Sequence, residues 1–527
     1  MKRLRVTIID LVSNRPTKRL YARVMNPNFA SIMPQAVAVW CEELGHDVRF
    51  MCYTGREEFS RELLADTDVL IINAFSLSAQ MAYALSNLYR RQGAVTVLGG
   101  PHARCYAEDA ALYFDYVLGL TDKPVIAEVL ADAARHRPYG RQLSALKQPR
   151  HLPGVRERWK FIAPTIAKAP LFNLVPMIGS TGCPYSCNFC IDSVMNYETL
   201  GFDQMRDDLS FLLGKLKRPR VAWHDPNFGV RFDEYLATIE EAVPAGRMDF
   251  LAESSLSLLS ENRLRRLRKN GFIALLPGVE SWYSHGNKAK SRNVTGIDKV
   301  RQVSDQVNMI LRYVPYVQTN FVMGLDCDEG PEPFELTKRF IEMTPGAYPA
   351  FSLFTAYGSA APLNLELQRA GRVLPVPFHL LNSTRSMNIR PKNYAWPEFF
   401  RLVEDMIVYA HAWPQIYRRF KATGGVIPKW LGALRASTTQ KTKYYGQIKN
   451  LMAGDKQFRA YSEGETGALP AFYENKIRDD LGPFWDALPE GALHHDPYQY
   501  LKNSTTEAVE RPPLQSPPDS EKIVALA

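Results

Sequence analysis

No stretch of this 527-residue chain is apolar for long enough to cross a bilayer. The opening residues, Met1 to Asp10, carry basic side chains ahead of an apolar run, but that run is too short for a secretion signal and ends in Asp10. It reads as a first strand, and the chain is expected in the cytoplasm. Lys and Arg exceed Asp and Glu to give a net charge of +9, yet they are spread over the length. Without a basic tract, nucleic-acid binding is not expected. Cysteine is scarce and odd in number, seven in all, with three of them between positions 183 and 190. That count argues against a disulfide framework and for a thiolate site in a reducing compartment. No internal repeat is present beyond an alternation of strand and helix.

The length implies two or three domains. Across residues 1–135, short apolar runs at Val6–Leu11, Val48–Cys52, Val69–Asn73, Val95–Leu98 and Tyr116–Leu118 alternate with helical periodicity, as at Pro34–Leu44 and Ala79–Arg91. Parallel neighbours need helical crossovers, so this pattern predicts a doubly wound, Rossmann-like α/β sheet with ligand loops after Asp10, Asn73 and Leu98. Residues 136–170, rich in proline, glycine and basic residues, read as a linker. Alternation resumes over residues 171–390, with strands at Leu174–Ile178, Val221–His224, Phe250–Glu253, Ala274–Val279, Val317–Met323 and Phe351–Phe354. Six such units predict a partial (β/α)6 barrel with its working residues at the strands' carboxyl ends.

Residues 391–502 are expected to form a helical C-terminal region closing over the barrel mouth. Its aromatic side chains, among them Tyr394, Trp396, Phe399, Phe400, Tyr409 and Trp413, suit either a large apolar substrate or an ordinary core. Its aromatic and basic stretches suit a membrane-touching face or packing on the barrel, and packing is the expectation. Residues 503–527, with two Pro-Pro pairs, read as a disordered tail.

The strongest signal is Gly179-Ser180-Thr181-Gly182-Cys183-Pro184-Tyr185-Ser186-Cys187-Asn188-Phe189-Cys190, directly after the first barrel strand. Thiolates hold iron–sulfur clusters, and three of them on a four-iron cube leave one iron without a protein ligand. That iron can take the amino and carboxylate groups of S-adenosylmethionine (SAM), whose sulfonium bond an electron from the cluster can then break. A structural zinc site competes, but zinc wants four ligands and no fourth Cys or His lies nearby.

This CxxxCxxC segment resembles the signature of the radical SAM superfamily. His224-Asp225-Pro226-Asn227-Phe228, Pro277-Gly278-Val279-Glu280-Ser281 and Asn320-Phe321-Val322-Met323-Gly324-Leu325-Asp326 resemble further barrel elements of its subgroup with an N-terminal cobalamin (B12)-binding-like domain. Tyr357 to Leu363 is a degenerate copy of another such element. Val97-Leu98-Gly99-Gly100-Pro101-His102-Ala103 and Phe114-Asp115-Tyr116-Val117 resemble elements of the N-terminal domain. The resemblance covers residues 1–390. It implies Cys183, Cys187 and Cys190 as ligands of a [4Fe–4S] cluster, with Glu280, Ser281, Asp225, Asn227 and Asn320 around SAM. Ser76, Gly99 and Gly100 are its cobalamin footprint; His102 could also reach a ligand. The histidine loop that supplies a lower cobalt ligand in some B12 proteins is missing, the chain reading Leu11-Val12-Ser13-Asn14-Arg15 after Asp10.

The function implied is cobalamin-dependent methylation of an unactivated carbon of a small-molecule or lipid-like substrate, with a reductant such as flavodoxin or ferredoxin. Radical cyclisation or rearrangement without methyl transfer is the alternative. Methylthiotransfer would need a second cluster, and Cys41, Cys52 and Cys105 form no evident ligand set. A non-enzymatic cobalamin or cluster sensor would need an output module, and the C-terminal region shows no DNA-binding signature.

Overall fold

The computed structural model describes residues 2–18, 22, 30–58, 63, 66–135, 138–168, 173–185, 187–283, 294–437, 440–499 and 501. Residues 503–527, read as a disordered tail, lie outside them.

Apolar runs of five to seven residues near the amino terminus become β1 (Arg5–Leu11), β2 (Asp47–Tyr53), β3 (Val69–Ala74) and β4 (Val95–Gly99), followed by the short β5 (Tyr116–Leu118) and β6 (Arg141–Leu143). All pair in parallel, in the order β2-β1-β3-β4-β5-β6. Alternate side chains point to opposite faces. Val6, Ile8, Val69 and Ile71 pack towards helices Ile32–Glu43 and Lys123–Ala133, while Ile9, Leu11, Leu70 and Ile72 pack towards helix Ala79–Arg91. The sheet is therefore wound on both faces, as the pattern predicts.

The span 136–170 departs from its reading as a linker. It contributes β6 and a helix, Val155–Ala167. Three strand residues are too few to show a period, and Pro149, Pro153 and Pro164 read as breakers although Pro164 is carried inside the helix.

The second sheet contains β7 (Leu174–Met177), β10 (Arg220–Trp223), β11 (Asp249–Ala252), β12 (Phe272–Leu275), β13 (Gly278–Glu280), β14 (Tyr316–Met323) and β15 (Tyr348–Leu353). β8 (Ser180–Thr181) and β9 (Glu198–Thr199) form a separate antiparallel pair. The parallel order is β7-β10-β11-β12, then β14, which also pairs β13 and β15. The fourth barrel strand is thus broken in two. Pro277 has no N–H to donate, and its carbonyl accepts from Asn320 N–H at 3.1 Å across the gap. β12 and β13 together count as one stave, giving the open six-unit barrel expected from the sequence.

The sheets share one apolar core cluster. Tyr106 OH donates to Ala356 O (3.3 Å), and Gly358, with φ +50°, presses so closely on Cys105 O that a Cβ would lie 1.7 Å from it. The C-terminal region does not form a single lid. Helix Trp396–Ala410 lies against the barrel, where Phe399 packs on Gly324, and helices Trp413–Ala422 and Val426–Ala436 reach the amino ends of β14 and β15. The last segment covers the first domain, with Gln80 Nε2 donating to Ala492 O and Asn87 Nδ2 to Ala487 O.

Candidate cluster and cofactor site

The cysteine loop leaves β7 and is clamped at its base. Gly179 N–H (3.0 Å), Ser180 Oγ–H (2.6 Å) and Tyr235 OH all donate to the buried Asp225 carboxyl, which follows β10. Burial pushes the Asp225 pKa up, and the three donors oppose that shift. The β8–β9 pair closes the loop above this anchor. Gly182 takes φ +69°, and a Cβ there would lie 2.2 Å from Asn196 O, so only glycine fits immediately before Cys183.

Cys183 and Cys187 are buried and Cys190 is half-buried. Cys190 N–H donates to Cys187 O (3.1 Å), and Ser193 Oγ–H donates to Cys190 O (2.7 Å). The loop reaches across the mouth in two directions. Tyr185 OH is 2.9 Å from Ser257 Oγ beyond β11, and Asn188 O accepts from Leu363 N–H (3.0 Å) beyond β15. Among the described residues, no three Cys, His, Asp or Glu side chains converge closely enough to ligate a single metal ion. A cubane takes one thiolate on each of several irons, so three cysteines would leave one iron without a protein ligand. The donor set of three thiolates on one loop fits the cluster.

At the same strand ends lies a cavity of about 260 Å³, lined by Pro226, Asn227, Glu253, Ser254, Leu276, Gly278, Glu280 and Asn320. Three of the five residues assigned to SAM by resemblance thus share one chamber. Asn227 Oδ1 accepts from Ser255 N–H (2.9 Å) and Oγ–H (3.1 Å), while its Nδ2 is buried with no protein partner among the described residues. A buried amide N–H left in this way is ready for a ligand acceptor. Glu280 is the one non-glycine residue with positive φ (64°) among the described residues, and its Oε1 bends back over Gly278. Such strain accompanies functional positions. Asn320 Oδ1 accepts from Gln318 Nε2 (2.8 Å).

The other two lie elsewhere. Asp225 anchors the cysteine loop and does not line the cavity. Ser281 faces a separate small pocket beside Trp282 and Phe321, with its Oγ 3.5 Å from Cys327 Sγ. Glu253 and Ser254 were missed, although they stand at the carboxyl end of a strand whose position was legible.

In the first domain the strand ends carry a closed polar network. Asp10 is buried, accepting from Ser31 N–H (2.6 Å) and Asn73 Nδ2 (2.7 Å). Gly100 takes φ +91° with Asn73 Oδ1 2.2 Å from where a Cβ would stand, so its conformation serves the fold. Gly99 differs: open space lies where its Cβ would be. Ser76 Oγ is buried 3.2 Å from His102 Nδ1; His102 Nε2 lies 2.7 Å from Tyr83 OH, which donates to Asp109 Oδ2 (2.5 Å). Burial lowers the His102 pKa to about 3, so the imidazole is neutral, and raises that of Asp109 to about 7. Phe378 covers His102 with ring centroids 4.7 Å apart. For a cobalamin tail the open face of Gly99 fits, and Ser76 retains acceptor capacity beside it.

No protein-family model matches the chain. Among curated proteins it is similar to two methyltransferases of Chlorobaculum tepidum. Bacteriochlorophyllide d C-12(1)-methyltransferase is 24% identical over 55% of this chain and 64% of its own length. Bacteriochlorophyllide d C-8(2)-methyltransferase is 29% identical over 67% of this chain and 80% of its own length. The chain thus spans less than two thirds of the first relative. Among solved structures, the radical S-adenosylmethionine methyltransferase TsrM from Kitasatospora setae, with tryptophan substrate and a SAM analogue bound, is 12% identical. It covers 90% of this chain and 99% of that one with a TM-score of 0.55. The same protein with cobalamin and a [4Fe–4S] cluster bound matches at a TM-score of 0.52 and 13% identity, over 70% of this chain and 75% of that one. The chain is thus similar in fold to the radical S-adenosylmethionine methyltransferase TsrM and similar in sequence to two bacteriochlorophyllide methyltransferases.

Proposed function

We propose that the chain is a cobalamin-dependent radical SAM methyltransferase acting on an unactivated carbon of a small-molecule or lipid-like substrate. Cys183, Cys187 and Cys190 hold the cluster, the cavity at the barrel mouth holds SAM, and Gly99 with Ser76 receives the cobalamin tail. When bound, these groups supply a hydrogen-abstracting radical and the methyl that is transferred. The observation that carries the reading is the placement of the three-cysteine loop across the strand ends that open into the cavity of Asn227, Glu280 and Asn320.

The chain's own residues have distinct tasks. Asp225 holds the root of the cysteine loop. The Asn227 Nδ2 would hold a SAM acceptor, and the Glu253 and Glu280 carboxylates that line the same cavity would offset its positive charge. Cys190, the half-buried member of the three, would hold one iron of the cluster, and a flavodoxin or ferredoxin would supply the electron. The names of the two curated relatives support methyl transfer. One feature favours a radical reaction without it: the Ser76 hydroxyl is engaged with His102.

The test is anaerobic reconstitution with iron, sulfide and hydroxocobalamin, followed by SAM under dithionite. Retained cobalamin, with both 5′-deoxyadenosine and S-adenosylhomocysteine formed, supports the proposal. SAM cleavage without retained cobalamin points to cyclisation or rearrangement instead. No SAM cleavage at all contradicts both.

A further inference from the structure

Between Asp405 and Asp455 the sequence contains no acidic residue and eight Lys or Arg. Helices Trp413–Ala422 and Val426–Ala436 lie within this span and form an antiparallel hairpin through Thr423-Gly424-Gly425. Phe420 meets Trp430 edge to face, with ring centroids 5.2 Å apart. One side of the hairpin is fixed to the barrel. Ile416 and Ala436 pack on Tyr348, Arg419 Nε donates to Ala347 O (3.0 Å), and the Arg435 guanidinium lies 4.3 Å over the Tyr348 ring.

The other side is apolar and uncovered. Trp413 (75% exposed) and Tyr417 are one helical turn apart, as are Val426 (72%), Trp430 (59%) and Leu434 on the second helix. Half of the exposed large apolar side chains among the described residues fall between residues 408 and 434. Scattered exposed apolar groups need no explanation, but a contiguous set of this kind marks an interaction surface. Cations rim it: the Lys421 ammonium lies 4.5 Å over the Tyr417 ring and that of Lys429 5.7 Å over the Phe420 ring.

We propose that this hairpin binds the surface of an anionic phospholipid bilayer. Trp and Tyr favour the boundary between headgroups and acyl chains, and lysine stems lie along apolar surface while their charged ends meet phosphate. Lys421 and Lys429 at the rim, with no acidic residue in the hairpin to offset them, supply the charge complementarity and disfavour pairing with a second copy of the same positive face. No helix among the described residues is long and apolar enough to cross a membrane, so the contact is peripheral. Tyr316 and Tyr348, which the hairpin touches, begin β14 and β15. The bilayer therefore meets the amino-terminal end of the barrel, and the mouth that carries Cys183, Cys187 and Cys190 stays on the aqueous side. This inference goes beyond the proposed reaction and does not depend on it.

Flotation of the full chain with vesicles tests it. Vesicles of phosphatidylcholine with added phosphatidylglycerol are expected to bind at least about tenfold more protein than phosphatidylcholine alone, with binding lost as salt is raised. Trp413→Ser with Trp430→Ser, and separately Lys421→Glu with Lys429→Glu, should each remove about tenfold or more of that binding. All four side chains lie on the outer side of the hairpin, so melting temperature and SAM cleavage should not change. Equal binding to the two vesicle types, or full binding by both double variants, would overturn the proposal. Concentration-dependent dimerisation abolished by the tryptophan variant, without vesicle binding, would assign the face to a second copy and also overturn it.

Discussion

Asn227, which lines the cavity, turns its carboxamide oxygen onto the Ser255 N–H at 2.9 Å, and its buried Nδ2 has no protein partner among the described residues. The oxygen maintains the loop after β11, and the proposed function gives the nitrogen a ligand acceptor. Asn227→Asp keeps an acceptor for Ser255 while replacing the donor with a negative charge. Binding of SAM should weaken by tenfold or more, about 1.5–3 kcal/mol for a hydrogen bond to a charged group. Iron content and melting temperature should stay close to those of the unmodified chain. Equilibrium binding of SAM checks this; unchanged affinity would remove Asn227 from the SAM site.

Asp225 acts one step away from the cavity. Asp225→Ala leaves the Gly179 N–H, the Ser180 hydroxyl and the Tyr235 hydroxyl facing a buried gap. Stability should fall by about 3 kcal/mol or more, and the iron retained after reconstitution should fall with it. Asp225→Asn, which still accepts, should recover part of both. Iron retention unaffected in the alanine variant would show that the loop does not depend on this anchor.

Gly99 faces open space, so a larger side chain there should be tolerated by the fold and resented by a ligand. Gly99→Leu is expected to lower cobalamin retention by about tenfold or more through steric exclusion, with iron content unchanged. Absorbance of the retained cobalamin measures the effect. Undiminished retention would move the cobalamin site away from this loop.

The network of Asp109, Tyr83 and His102 makes stability depend on pH. Burial lifts the Asp109 carboxyl from 3.8 to about 7 in the folded chain. Below pH 3.8 both folded and unfolded chains hold the proton. As pH rises towards 7 the unfolded chain releases it first, so stability is lost by up to about 1.4 kcal/mol per pH unit. Asp109→Asn removes this dependence. The wild-type melting temperature should therefore decline relative to that of the variant between pH 4 and pH 7, and parallel curves would contradict the assignment.

Much of this was legible because two periodicities are strong. Val69–Ala74 and Ala79–Arg91 announce a strand and a helix in their own residues, and Cys183, Cys187 and Cys190 announce a cluster by spacing. The chamber brings together Asn227, Glu280 and Asn320, which the resemblance had implied, since strand ends converge on one mouth. What stayed hidden depends on contacts distant in sequence. Nothing local to Asp225 says that its partners are Gly179, Ser180 and Tyr235, so it looked like a ligand residue. Pro277 broke a strand whose apolar run reads as continuous. The pull of Ser76 towards His102 also depends on the β4 loop folding back. Helix Trp413–Ala422 has an apolar stripe on each side, and sequence alone does not say which one the barrel takes.

The central claim is that the three cysteines hold a cluster with one iron open to SAM. Electron paramagnetic resonance of the anaerobically reconstituted, dithionite-reduced chain tests it most directly, with and without SAM. The account predicts about four irons per chain, a reduced-cluster signal that shifts when SAM is added, and loss of both in Cys183→Ala, Cys187→Ala or Cys190→Ala. A signal unmoved by SAM, or iron content that survives these substitutions, would contradict it.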